Sequence, residues 1–228
     1  MPRKKNSQNY YQRDRQEMRP FLPEHYSKIL EVGCGEGNFR STLSLKNEYW
    51  GVEQNIHSAN KAKTNLSRVL AGDYDSVEAQ IPDQYFDLII CNDIIEHMQE
   101  HIAFLLKVKR KLSPGGSLVL SVPNTRFMSN LNHLLFAKDW RYTDAGILDR
   151  THLRFFTKRS LIRTLNETHW EIKQIKGITR YGSGSRLGAK QVRFALSYLA
   201  QLIYGSDSAY LQFAVRAVDA QKMSKPNK

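Results

Sequence analysis

Apolar runs and stretches of helical spacing alternate along residues 27–124 of the chain. "SKILEVG" (27–33) reads as a buried strand, "NFRSTLSL" (38–45) as a helix, "EYWGVE" (48–53) as a strand and "IHSANKAKTNL" (56–66) as a helix. "SRVLAGD" (67–73) and "QYFDLIICND" (84–93) predict a third and a fourth strand. The unbroken apolar run Leu88, Ile89, Ile90 and Cys91 is what a strand covered on both faces requires. "HIAFLLKVKRKL" (101–112) has helical spacing, "SPGG" (113–116) reads as a turn, and "SLVLSVPN" (117–124) as a fifth strand. Strand alternating with helix predicts an α/β fold with a doubly wound, mostly parallel sheet.

The period lapses over 125–156, where aromatic, Asn, Asp and Arg residues mix without order. It returns as a helix over 157–168 with Thr157 as N-cap, a strand at 170–178 and a closing strand at 210–218. "RYGSGSRLG" (180–188) reads as a loop, and 189–204 as an amphipathic helix. Its apolar face suits packing or dimerisation, and peripheral membrane contact is the alternative. The expected organisation is a basic N-terminal tail or cover helix (1–22) and a single domain (23–220). That domain carries a lid-like insert at 125–156 and a helical insert at 179–209, and a polar tail (221–228) follows. A short helix over 8–18 should end at Pro20 and Pro23.

The formal net charge is +12, and it is unevenly placed. Residues 1–20 carry six Lys/Arg against two acids, and 150–193 eleven against two, while 21–149 carry thirteen against sixteen. Such flanks favour an anionic partner: nucleic acid, a phosphate-bearing carrier or a membrane surface. The two cysteines, Cys34 and Cys91, match neither a disulfide framework nor a zinc site, which with the lack of a signal peptide predicts a cytoplasmic protein. No apolar run is long enough to span a bilayer.

Gly33, Gly35 and Gly37 follow the first strand directly and open the next helical stretch. A strand, a tight glycine turn and a helix start make a corner that approaches a nucleotide closely. Glu53 ends the second strand, where a carboxylate can accept ribose hydroxyls. Asp73 ends the third, and Asn92 the fourth. Asn38 stands where the last glycine of a dinucleotide-binding G-x-G-x-x-G would fall.

Five stretches, "EVGCGEG" (31–37), "GVE" (51–53), "AGD" (71–73), "FDLIICNDIIEH" (86–97) and "LSPGGSLVLSVPN" (112–124), closely resemble the class I S-adenosylmethionine-dependent methyltransferases over roughly 28–176. The resemblance implies a seven-stranded sheet of order 3-2-1-4-5-7-6 and S-adenosylmethionine as cofactor. It implies that Glu31, Gly33 and Gly35 surround the methionine part, Glu53 the ribose and Asp73 the adenine, with Asn92 near the sulfonium and Gly37 also in the cofactor site. Segments before the first strand commonly cover the cofactor in this fold, which places Tyr11 near the pocket.

No N/D-P-P-Y/F motif follows the fourth strand, so the acceptor is expected to be a hydroxyl. In "DIIEHMQEH" (93–101), Asp93, Glu96 and His97 share one face if a helix begins there, while His101 reads as a solvated residue. His152 stands in a second stretch, amid arginines. His97 or His152 is the expected general base. Together Asp93, Glu96, His97 and His152 can hold a divalent cation, Mg or Mn, that would acidify the acceptor. This pattern resembles two branches of the family, the ubiquinone-biosynthesis O-methyltransferases and the small-RNA 2′-O-methyltransferases.

"DWRYTDAGILDRTHLRFFT" (139–157) resembles a bacterial ubiquinone-biosynthesis-like subgroup that often accompanies glycosyltransferases. It implies an acceptor in glycan assembly, with Trp140, Tyr142 and Phe155 placed to stack on a sugar and Arg150 and Arg154 to hold a phosphate. The expected activity is O-methylation of a sugar hydroxyl on a glycan precursor. The alternatives are RNA ribose 2′-O-methylation, a small aromatic, quinone-type acceptor, and a regulatory module that binds the cofactor and transfers nothing.

Overall fold

The computed structural model of the chain describes residues 14–43, 46–181 and 201–220. The strands are β1 (Lys28–Val32), β2 (Glu48–Glu53), β3 (Arg68–Ala71), β4 (Phe86–Asn92), β5 (Leu112–Pro123), β6 (Trp170–Arg180) and β7 (Tyr210–Asp219). They form one sheet of order β3-β2-β1-β4-β5-β7-β6, the expected order. Pairing is parallel from β3 through β5, and β7 runs antiparallel to both β5 and β6.

The period-2 alternation of each strand divides the core between the two faces of the sheet. Leu30, Val32, Ile89, Cys91, Leu118 and Leu120 belong to one cluster, and Ile29, Leu88, Ile90 and Val119 to the other. Helices α1 (Ile56–Ala62), α2 (Tyr74–Val77), α3 (His101–Lys111) and α5 (Lys158–Glu167) connect the strands, and α4 (Met128–Asn132) lies in the segment after β5. Thr157 caps α5 as expected: its side chain accepts from the Ser160 backbone N–H, and the Ser160 hydroxyl returns the bond to the Thr157 backbone.

Three local expectations need correction. The helix at 38–45 shrinks to a 3-10 turn, Asn38–Thr42. Ser41 and Thr42 turn their hydroxyls back onto the carbonyls of Asn38 and Phe39, an alternative to helical continuation. Residues 113–116 belong to β5 itself, and the β4–β5 register shifts between Phe86 and Leu88. The short helix expected over 8–18 and ended by Pro20 is, in its described part, a 3-10 turn, Gln16–Phe21, that contains Pro20, with Met18 and Phe21 buried in the second core cluster. The expected helix at 189–204 lies outside the described residues except for 201–204, which are helical.

Candidate active site

The C-terminal ends of β1 to β4 lie side by side and deliver the glycine turn, Glu53, Asp73 and Asn92 to one edge of the sheet. Gly33 and Cys34 both donate their backbone N–H to the Val52 carbonyl, at 2.8 and 3.1 Å, so β2 pins the turn. Gly33 sits at φ +75°, a backbone conformation that favours glycine, and a Cβ there would lie 2.0 Å from Ile94 Cδ1, so that side chain would have to move. Gly35 and Gly37 also have positive φ.

Glu53 closes the corner. Its carboxylate accepts from the backbone N–H of Gly35 and of Asn55, each at 2.8 Å. A carboxylate has about four acceptor positions, so capacity remains for ribose hydroxyls. Asp73 is exposed and accepts from the Ser76 backbone N–H at 3.0 Å, which caps α2 and holds its carboxyl below the usual carboxylate range. Glu31 is buried and accepts from the Tyr49 hydroxyl at 2.8 Å. Burial pushes its pKa up to about 8, against the pull of the Tyr49 bond and the Arg15 charge.

Asn92 supplies the most direct sign of a polar ligand site. Its side-chain nitrogen and oxygen are both buried and have no hydrogen-bond partner among the described residues. Buried polar groups are nearly always paired, so this amide is complete only when something polar is bound against it. With the glycine corner and the residual capacity of Glu53, these residues fit S-adenosylmethionine. Tyr11, expected near the pocket, lies outside the described residues.

Beyond β4 the structure departs from the expected helix face. The chain turns at Asp93 in the left-handed region (φ 55°), passes a 3-10 turn, Ile95–His97, and enters α3 only at His101. Asp93 is not within ligand distance of the Glu96–His97–His152 group, and its carboxylate has other partners. It accepts from Ser121 Oγ at 2.7 Å and Gln212 Nε2 at 2.8 Å, and forms a buried ion pair with Arg15. Burial alone would raise its pKa, but the Arg15 charge and these bonds hold it below the usual range. The four-residue metal set therefore loses Asp93, whose carboxylate is committed elsewhere.

Glu96, His97 and His152 do come together, each offering one ligand atom within 4.8 Å of the others. The segment after β5 brings His152 in: Leu153 and Arg154 both donate backbone N–H groups to the Glu96 carbonyl, at 2.8 and 2.9 Å. The two imidazoles meet edge-on with centroids 4.7 Å apart. Each turns Nδ1 to a backbone carbonyl, His97 to Thr151 at 3.2 Å and His152 to Ile147 at 2.9 Å. A carbonyl only accepts, so each Nδ1 carries the proton of the neutral ring, which leaves the lone pair on Nε2 in that form. Neither carboxylate oxygen of Glu96 has a hydrogen-bond partner among the described residues. Burial, with the Asp93 charge, pushes the Glu96 carboxyl well above its ordinary range. Burial, with the adjacent His152, lowers His97. Two imidazole lone pairs and one unpartnered carboxyl are a donor set that fits a borderline divalent cation better than Mg.

Several other sequence-predicted residues have partners of their own. Trp140 and Phe155 pack edge to face at 5.4 Å, and Tyr142 lies 6.3 Å from Phe155. Arg150 pairs with Asp144, and Arg154 donates to the Gln99 carbonyl at 2.6 Å. His101 is half-buried against Phe156 rather than solvated. Sequence reasoning missed Arg15, Ser121, Gln212 and Tyr49, all buried around Glu31 and Asp93. Arg15 stood in a run of basic residues and carried no periodic signal.

A family model described as a methyltransferase domain matches residues 4–175. The mitochondrial ubiquinone biosynthesis O-methyltransferase of Schizosaccharomyces pombe is 28% identical over 159 residues, covering 66% of this chain and 57% of that protein. The ubiquinone biosynthesis O-methyltransferase of Rickettsia bellii is 24% identical over 174 residues, covering 69% of each. A SAM-dependent methyltransferase from Archaeoglobus fulgidus superposes with a TM-score of 0.66 at 17% identity, covering 92% of this chain and 93% of that one, a likeness of fold.

Proposed function

This chain belongs to the methyltransferase-domain family and is an S-adenosylmethionine-dependent methyltransferase, and from that premise we propose that it methylates a hydroxyl of a small aromatic, quinone-type acceptor. The observation that carries the reading is the Glu96–His97–His152 group beside the cofactor corner. Its basic nitrogens suit removal of a phenolic proton. The relatives named for ubiquinone biosynthesis favour this acceptor over the sugar expected from the 139–157 pattern. Within that pattern, Trp140 and Tyr142 pack against Phe155, and Arg154 donates to the Gln99 carbonyl.

S-adenosylmethionine supplies an electrophilic methyl group to the acceptor oxygen. The protein's share is placement and proton removal. The glycine corner holds the methionine part and Glu53 the ribose, Asp73 receives the adenine amino group, and the Asn92 amide closes the side nearest the reaction. His97, kept neutral by burial and by His152, accepts the hydroxyl proton on Nε2. Alternatively, Glu96, His97 and His152 would hold a divalent cation; the His97 Nε2 lone pair would then be a ligand, and the ion would acidify the acceptor hydroxyl in place of that base.

The test incubates the full chain with radiolabelled S-adenosylmethionine and, separately, a catechol, a simple sugar and an RNA, each with and without a chelator. Label in the catechol is the expected result. Label in the sugar or the RNA instead would overturn the acceptor assignment.

A further inference from the structure

His97 and His152 owe their usefulness to which nitrogen carries the proton, and the structure holds a device for choosing it. Asp149 Oδ1 accepts two bonds from Thr151, one from its backbone N–H at 2.9 Å and one from its hydroxyl at 2.7 Å. A threonine hydroxyl has one hydrogen. With that hydrogen given to Asp149, Thr151 Oγ1 can meet the His97 ring only as an acceptor. It lies 3.3 Å from His97 Nδ1, and the Thr151 carbonyl lies 3.2 Å from the same atom. Two acceptors facing one ring nitrogen require that nitrogen to bear the proton.

We propose that Asp149 and Thr151 are positioning residues that lock His97 in the Nδ1–H tautomer and so leave its Nε2 with a free lone pair. The inference rests on the reading of that trio as the reacting group. Asp149 is suited to the role because its two Thr151 bonds favour the ionised, acceptor-only carboxylate against its burial. The same turn fixes His152, whose backbone N–H donates to the Asp149 carbonyl at 2.9 Å. The carboxylate thus orients His97 through a hydroxyl, a relayed form of the carboxylate–histidine pairing common behind metal and catalytic imidazoles, while the Asp149 main-chain carbonyl anchors the backbone of His152. Without the carboxylate, the Thr151 hydroxyl is at liberty to donate to Nδ1. His97 then places its hydrogen on Nε2, where it blocks both proton acceptance and ligation.

The experiment records nitrogen-15 spectra of histidine-labelled full chain at a pH where His97 is neutral. The wild-type protein should show a protonated Nδ1 and an unprotonated Nε2 for His97. Asp149→Ala should shift His97 toward the Nε2–H form. Thr151→Val, which lacks the hydroxyl but keeps the carbonyl, should retain Nδ1–H, and Thr151→Ser should match the wild type. In the transfer assay, Asp149→Ala should lower kcat by about 10- to 100-fold with S-adenosylmethionine affinity unchanged, as loss of an orienting partner typically does. A wild-type His97 found as the Nε2–H tautomer would overturn the proposal, as would an Asp149→Ala protein with an unaltered His97 spectrum. Should Asp149→Ala fail to fold, the wild-type spectrum and Thr151→Ser decide. The spectra require no acceptor, so they stand apart from the fate of the quinone-type reading.

Discussion

Arg15 and Asp93, 78 positions apart in sequence, form a buried ion pair that joins the N-terminal segment to the turn at the end of β4. Ser121 from β5 and Gln212 from β7 complete it, Ser121 Oγ accepting from Arg15 at 2.8 Å. One carboxylate therefore ties three strand ends and a segment outside the sheet into a single polar node. The node determines where Asn92 and Glu96 stand, because both flank Asp93.

Removing Arg15 leaves the Asp93 charge buried with only neutral donors. Arg15→Ala should destabilise the protein by about 3–5 kcal/mol, the usual cost of orphaning one member of a buried pair. Replacing both partners, Arg15→Met with Asp93→Leu, should cost less than Arg15→Ala alone, since no charge is then stranded. Urea denaturation of the three proteins measures the difference. A loss below about 1 kcal/mol for Arg15→Ala would show that the N-terminal segment does not grip the sheet.

The parts legible in the sequence are those whose cause is local or periodic. The Leu88–Cys91 run and the alternation in β1 and β5 fix burial on two faces, and Thr157 caps its helix through neighbouring residues alone. Glu53 and Asp73 were found because strand ends are visible as the place where apolar runs stop. Asp93 was misread because a left-handed residue at a strand end sends the chain off the expected helix, and no residue type announces it. Aspartate adopts that conformation more readily than most side chains, the one available hint. Arg15 was unreadable because its role depends on partners from three distant strands.

The Glu96–His97–His152 group yields a prediction about protons. Burial keeps Glu96 protonated above the ordinary carboxylate range, so a cation arriving there must displace that proton. Titration of the chain with Mn should therefore release protons, and affinity should rise with pH. Calorimetry in buffers of different ionisation enthalpy reads the proton count. Glu96→Gln should weaken binding at least tenfold, about 1.4 kcal/mol, while Asp93→Asn should leave it nearly unchanged. Equal loss in both variants would return Asp93 to the ligand set.

Asn92 should separate stability from binding. Its amide is buried and unpaired among the described residues, a condition that costs the folded protein about 1–3 kcal/mol. Asn92→Leu removes the unpaired atoms and keeps the volume. The cofactor-free variant should be at least as stable as wild type, yet bind S-adenosylmethionine at least tenfold more weakly. Thermal melts with and without the cofactor give both quantities. A variant that loses stability but keeps its affinity would mean that the amide serves the fold.

Glu31 sets the last expectation, with a definite sign. Its pKa rises from 4.5 in the unfolded chain to about 8 in the folded one, chiefly through burial. Between those values the folded state holds a proton that the unfolded state has lost, so folding is favoured at the acid end and weakened as pH climbs. The contribution is complete below pH 4.5 and is lost as pH rises to about 8. Glu31→Gln keeps an acceptor for the Tyr49 hydroxyl and cannot ionise. The Tm difference between Glu31→Gln and wild type, measured without cofactor, should grow in favour of the variant from pH 5 to pH 8, by about 2–4 °C for each kcal/mol. The subtraction cancels Asp93, whose lowered pKa acts in the opposite direction at acid pH. A flat difference across that range would place the ionised form of Glu31 in the folded protein at neutral pH. The Tyr49 bond and the Arg15 charge would then outweigh its burial.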